Sequence, residues 1–150
     1  MPQSLVKNYI HITFSTKGRQ PFILPMVAPE LYAYLGGICK NLESYPVEIG
    51  GYTDHVHILC LLSRKIALMK LVEELKSHSS KWIKSKGDEY KDFYWQNGYA
   101  AFSVRPNEID VVRQYICKQY EHHAKRNFQD EYRAFLDKYT IEYDERFVWD

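Results

Sequence analysis

Apolar and polar residues alternate from Leu5 to Thr16, with Tyr9, His11 and Thr13 on one face and Ile10, Ile12 and Phe14 on the other. That period of two, with β-branched residues, predicts a first strand. Lys17-Gly18-Arg19-Gln20-Pro21 reads as a turn carrying two cations at the mouth of the strand. Between Pro25 and Leu42, Leu31, Tyr34, Leu35, Ile38, Cys39 and Leu42 recur at three and four. This spacing predicts a helix, which Gly36-Gly37 weakens by about 1 kcal/mol each relative to Ala. A short strand follows from Val47 to Tyr52, and Thr53-Asp54 turns into a third strand over His55 to Leu62, making a hairpin. Leu68, Leu71, Val72, Leu75, Trp82 and Ile83 mark a second amphipathic helix to about Lys86, where Gly87 can end it, with Lys70, Lys76, Lys81 and Lys84 on its polar side. An aromatic segment from Phe93 to Tyr99, broken by Asn97-Gly98, leads into a last strand over Ala100 to Val104, which Pro106 stops. Asn107 is a good cap, with Glu108 and Asp110 in the first turn, for a third helix from Glu108 towards Asn127. A further short helix is expected from Asp130 to about Lys138.

The order strand, helix, strand, strand, helix, strand is the βαββαβ pattern of a ferredoxin-like antiparallel sheet, an α+β fold with its first two helices on one face. The other face is expected to stay open, and the added C-terminal helix to cross back over it. At 150 residues and 17.9 kDa the chain has room for one domain, 1–150, with a real core. Hydrophobic residues at 45% and 13 tyrosines place it among globular proteins rather than disordered ones. A net charge of +1 means that nucleic-acid binding must rest on local patches, not on the global field. Three separated cysteines, with no Cys-x-x-Cys pair, argue against a disulfide framework or a thiolate zinc site. No apolar run approaches the ~18 residues of a membrane span and no leader pattern opens the chain, so a cytoplasmic location is the default.

The chemistry concentrates in Asp54-His55-Val56-His57. In a strand His55 and His57 point to the same side, so the pair can chelate one ion, although two polar positions on an exposed strand face would read alike. On the third helix Tyr115 and Gln119 stand four apart and share a face. Ile109, Val112, Ile116 and Tyr120 give that helix an apolar side, so Tyr115 also fits a core position, and Gln119 alone reads as surface. His122 can share the Tyr115 face as a reserve ligand or phosphate contact, with a solvated helix-end histidine the plainer reading; His11 can face the same side of the sheet, and His78 reads as polar surface. Arg19, Lys76, Lys81, Arg105, Arg113 and Lys118 are scattered cations, and Trp95, Tyr99 and Phe102 are candidates to stack unpaired bases, with ordinary surface and core the alternative reading of either set.

These motifs together resemble the single-tyrosine HUH transposases of the smallest bacterial insertion sequences and the related REP-associated transposases. The resemblance is carried by His11-Ile12-Thr13-Phe14-Ser15-Thr16-Lys17, Asp54-His55-Val56-His57, Leu75-Lys76-Ser77 with Trp82-Ile83, Trp95-Gln96-Asn97-Gly98-Tyr99, Tyr115-Ile116 with Gln119 and His122-His123, and Ile141-Glu142-Tyr143-Asp144-Glu145. It implies His55, His57 and Gln119 as ligands of a divalent metal, Mg²⁺ or Mn²⁺, and Tyr115 as the nucleophile that attacks DNA. It further implies recognition of end hairpins, cleavage and rejoining of single-stranded DNA through a 5'-phosphotyrosine, and a homodimer whose active sites combine one subunit's histidines with the other's tyrosine helix. The alternation Tyr139, Ile141, Tyr143 suggests a tail that docks on something.

The chemistry fits such an activity: a Lewis acid polarises a phosphodiester that otherwise repels a nucleophile, and a phenol of pKa near 10 attacks only as it loses its proton. Two rivals remain at this level. One is a ferredoxin-like module that stacks single-stranded nucleic acid without catalysis. The other is a metal-dependent hydrolase of small phosphoesters, which would turn over without Tyr115.

Overall fold

The computed structural model describes residues 2–150. Strands β1 (Tyr9–Ser15), β2 (Tyr45–Tyr52), β3 (His55–Leu61) and β4 (Ala100–Ser103) form an antiparallel sheet in the order β2-β3-β1-β4. Helices α1 (Ala28–Asn41) and α2 (Leu68–Lys84) lie between them in sequence, giving the expected ferredoxin-like plan. Strand alternation divides the side chains as the pattern foretold. Ile10, Ile12, Phe14, Val56, Ile58 and Cys60 bury against α1 and α2, contributed by Leu31, Leu35, Leu71 and Leu75. Each large apolar side chain taken out of water there stabilises the fold by about 1.5–3 kcal/mol.

The opposite face departs from expectation. It is not open: α3 (Ile109–Cys117), α4 (Gln119–His123) and α5 (Phe128–Lys138) cover it. Ile116 packs with Leu59 and Val104, and Phe128, Tyr132 and Leu136 pack with Ala100 and Phe102. The long third helix is broken in two at Lys118, whose backbone (φ −100°, ψ 24°) leaves the helical region. Nor does Asn107 cap it, because Pro106–Glu108 form a separate 3-10 turn. Asn127 caps α5 instead, its side-chain oxygen accepting the Asp130 N–H. The tail docks on its own chain, with Tyr139, Tyr143 and Trp149 packed around the α5 cluster.

Lys76, read from sequence as one of several scattered cations, is tethered: its ammonium donates to the carbonyls of Gln96, Asn97 and Gly98 at 2.6–3.1 Å. Burial brings it down to about 8. Trp95 and Phe102, read as base-stacking candidates, are core: Trp95 meets Phe14 and Phe93 edge-on and donates to Ser79, and Phe102 stacks on Phe135 and Tyr139. A stacking platform for bases therefore lacks two of its three members.

One glycine decides where α3 sits. A Cβ built on Gly50 of β2 would come 2.9 Å from the Ile116 carbonyl oxygen, so α3 lies on the sheet only because that position is bare. Gly50→Ala is expected to cost about 1–3 kcal/mol of stability through this overpacking. Urea unfolding monitored by tryptophan fluorescence checks it, and an unchanged midpoint would mean that α3 does not rest on Gly50.

Candidate metal centre and nucleophile

The register β1 to β3 pairs Thr13 with His57 and Ser15 with His55, setting both imidazoles mid-sheet on the face that α3–α5 cover. Both are fully buried. The kinked connection between α3 and α4 then turns Gln119 inward, so that it is 1% exposed rather than a surface residue. Its Oε1 lies 3.0 Å from His55 Nε2 and 3.0 Å from His123 Nε2, while its Nε2 donates to the Tyr115 carbonyl. The predicted four residues are therefore brought together: the Tyr115 ring stands 5.7 Å from that of His57.

The central member is one that the sequence reading missed. Glu131, on α5, is 3% exposed; its Oε1 lies 2.8 Å from His57 Nε2 and 3.5 Å from His55 Nε2. Its Oε2 accepts the Tyr115 hydroxyl proton in a short hydrogen bond and lies 3.2 Å from His123 Nε2. A signal for it existed: Phe128, Glu131, Tyr132 and Leu136 are all buried on one face of α5, and a carboxylate in the middle of such a stripe needs partners. His55, His57 and Glu131 each offer a donor atom, all within 4.8 Å of one another. With the Gln119 oxygen beside them, the set has the nitrogen and oxygen chemistry that suits a divalent first-row or hard cation.

Further contacts orient these groups. His55 Nδ1 donates to Asp54 Oδ1 at 2.7 Å, and His57 Nδ1 lies 2.8 Å from Nε2 of His11. His11, for which a structural place was the better expectation, thus backs His57 from the side away from Glu131. The His122 ring lies 4.7 Å from that of Tyr115, beside the phenol rather than among the donors. His78 is on the surface with Glu74, as read.

Electrostatics follow from burial. Desolvation holds His11 well below the ordinary imidazole range, reinforced by His57, and desolvation lowers His57 despite the opposing pull of Glu131. Burial raises the Tyr115 phenol, and the Glu131 charge adds to that rise. For Glu131 burial acts upwards, but the facing His57 and the hydrogen bonds from His123 and His57 outweigh it and hold the carboxyl well below its usual range. At rest the proton between them therefore stays on the Tyr115 oxygen.

Within the single chain, Tyr115 stands against that chain's own histidines.

A ferredoxin-like sheet bearing two imidazoles, an amide and a carboxylate around a tyrosine hydroxyl defines a class of protein in which a phenol is set beside a cation-binding group. Within that class the chain belongs to the IS200-like transposase family, whose sequence profile matches residues 4–119. The match ends at Gln119, so Glu131 and α5 lie beyond it. Among solved structures, the chain is similar to a candidate transposase of Deinococcus radiodurans R1, at 23% identity and a TM-score of 0.62, covering 79% of this chain and 98% of that one. It is also similar to a REP-associated tyrosine transposase bound to a REP hairpin, at 12% identity and a TM-score of 0.56, covering 83% of this chain and 72% of that one. At these identities the two structures establish the fold. No curated protein matches. Among the described residues no helix is long and apolar enough to cross a membrane.

The buried histidines set a pH dependence. The His11 and His57 rings stay neutral in the folded chain to lower pH than in the unfolded chain, where they titrate near 6.5. Below that value the unfolded state binds more protons, so stability falls with falling pH, by about 1.4 kcal/mol per pH unit for each ring. Denaturation in chelator between pH 7.5 and pH 5 checks this, and a flat profile would mean that the rings are not held neutral.

Proposed function

We propose that this transposase cleaves and rejoins single-stranded DNA at the flanks of hairpins, in the cytoplasm, with Tyr115 as nucleophile and with His55, His57 and Gln119 holding Mg²⁺ or Mn²⁺. The observation that carries the reading is a single carboxylate, Glu131, which contacts the Tyr115 hydroxyl on one oxygen and both imidazoles on the other. Nucleophile and cation donors thus lie one carboxylate apart, the span a scissile phosphate must bridge. The cation, when bound, supplies Lewis-acid polarisation of a phosphate oxygen.

The residues of the chain do the rest. Asp54 and His11 fix the two imidazoles from behind. Gln119 ties the donor set to the backbone of the nucleophile's own helix through the Tyr115 carbonyl. The Tyr115 oxygen forms the new bond to phosphorus as the bond to the 3'-oxygen breaks; the phenol proton leaves, and the 3'-oxygen takes one up. The bond energy is kept in the 5'-phosphotyrosine, so that rejoining to another 3'-hydroxyl needs no nucleotide cofactor. Because the donors are buried beneath α5, a strand reaches them once the Glu131 carboxylate moves aside. A structure solved with a REP hairpin bound, in a protein of the same fold, supports hairpins as the DNA element recognised. In the homodimer that the resemblance implies, we read each chain as carrying its own site, on the contact between Tyr115 and Glu131 of one chain.

The test is adduct formation on labelled single-stranded DNA from the flanks of the gene, read as a denaturation-resistant band. Tyr115→Phe and His57→Ala are each expected to reduce it at least about 100-fold while both bind hairpin DNA. Mixing the two variants is expected to restore nothing, since each chain keeps its own defect. Recovery on mixing would instead show a tyrosine shared between subunits, and wild-type yield from Tyr115→Phe would remove the residue from the reaction.

A further inference from the structure

His57 presents its two ring nitrogens to two different partners. Nε2 lies 2.8 Å from Glu131 Oε1, and Nδ1 lies 2.8 Å from Nε2 of His11. An ionised carboxylate can only accept, so with the centre as it stands Nε2 carries the hydrogen and Nδ1 accepts the Nε2–H of His11. A cation at the centre requires the opposite, because it takes the lone pair of His57 Nε2; the hydrogen must then sit on Nδ1 and point at a lone pair on His11 Nε2.

His55 meets no such conflict. Its Nδ1 faces the Asp54 carboxylate at 2.7 Å, an acceptor for that N–H whether or not Nε2 is engaged. The two metal-facing histidines thus have unlike supports: a fixed acceptor behind His55, and behind His57 a group that can either donate or accept.

Strand register places this group. His11 pairs with Leu59 and Thr13 with His57, so His11 is the diagonal neighbour of His57 on the same face, within reach of a long side chain. Its ring is 2% exposed and held edge-on by Phe102 and Phe135, at 6.1 and 5.2 Å between centroids.

We propose that His11 is a positioning residue that allows His57 to exchange tautomers when a cation binds, on the reading that His55 and His57 are cation ligands. His11 passes its Nε2 proton to Nδ1 of His57 and takes a proton from bulk solvent on its own Nδ1, while His57 releases its Nε2 proton to bulk solvent as the cation enters. Two protons are held before and after, and neither ring changes charge. An imidazole can serve both states; a lysine could only donate, an ionised carboxylate only accept, and an apolar side chain would leave His57 Nδ1 buried without a partner in either.

The test uses the full-length chain labelled with nitrogen-15, titrated with Mg²⁺ and with Zn²⁺ as diamagnetic probes, reading histidine tautomers by two-bond proton-nitrogen correlation. His11 and His57 are expected to pass together from the Nε2–H to the Nδ1–H form as the cation saturates, with His55 keeping its Nδ1–H. His11→Phe is expected to weaken cation binding by about 10–100-fold. His11→Gln, whose amide offers an oxygen or an N–H after a flip, should bind within a few-fold of wild type. Cation binding by wild type with both tautomers unchanged overturns this proposal and leaves the cation centre standing, as does undiminished affinity in a folded His11→Phe. A wild-type chain that binds no cation overturns both.

Discussion

Five polar side chains meet between the sheet and the C-terminal helices, four of them buried, and their mutual satisfaction constrains everything built around them. His55, His57, Gln119 and Glu131 are each at most 3% exposed, and the Tyr115 hydroxyl joins them through Glu131. An unpaired polar group there would cost about 1–3 kcal/mol, and an unpaired charge more. The five come from four stretches: β3 gives the two imidazoles, α3 the phenol, α4 the amide and α5 the carboxylate. The cluster therefore fixes the order in which the C-terminal helices lie on the sheet. Gly50 contributes by absence, letting the α3 backbone close on β2.

The same cluster keeps the Tyr115 phenol protonated. A phenol pushed up by burial and by a neighbouring carboxylate, hydrogen-bonded to a carboxylate held low, keeps its proton. Activation thus has to change the surroundings of Tyr115 rather than its intrinsic acidity. Displacing Glu131 by a phosphate oxygen beside a bound cation would do so, because it replaces a carboxylate that stabilises the phenol with a centre that attracts its electrons. The reach of the family profile fits this division: strands, histidines and Tyr115 lie within residues 4–119, whereas Glu131 lies outside.

The sheet was legible because its periods are clean. Ile10, Ile12 and Phe14 against Tyr9, His11 and Thr13 leave one register in which the core is apolar, and that register sends His55 and His57 to the other face. The Tyr115 and Gln119 pairing was legible from helical spacing, although the helix breaks between them at Lys118, where nothing in the local composition demands a kink. Trp95 and Phe102 stayed open between core and base stacking because an aromatic ring suits both equally well, and packing put them in the core. Glu131 was out of reach for a different reason. Its partners are 74 residues and more away along the chain for the histidines, so only tertiary packing tells a buried carboxylate from the exposed acids beside it on α5.

The central claim is that the Tyr115 oxygen and the donor set beside it form one reacting centre. The most direct measurement is mass-spectrometric mapping of the covalent product: wild-type protein is reacted with single-stranded DNA and Mn²⁺, digested with nuclease and protease, and the modified peptide sequenced. The account predicts a phosphonucleotide on the peptide containing Tyr115, formed with Mn²⁺ and absent with chelator. A modification on another residue, or one formed equally in chelator, would contradict it.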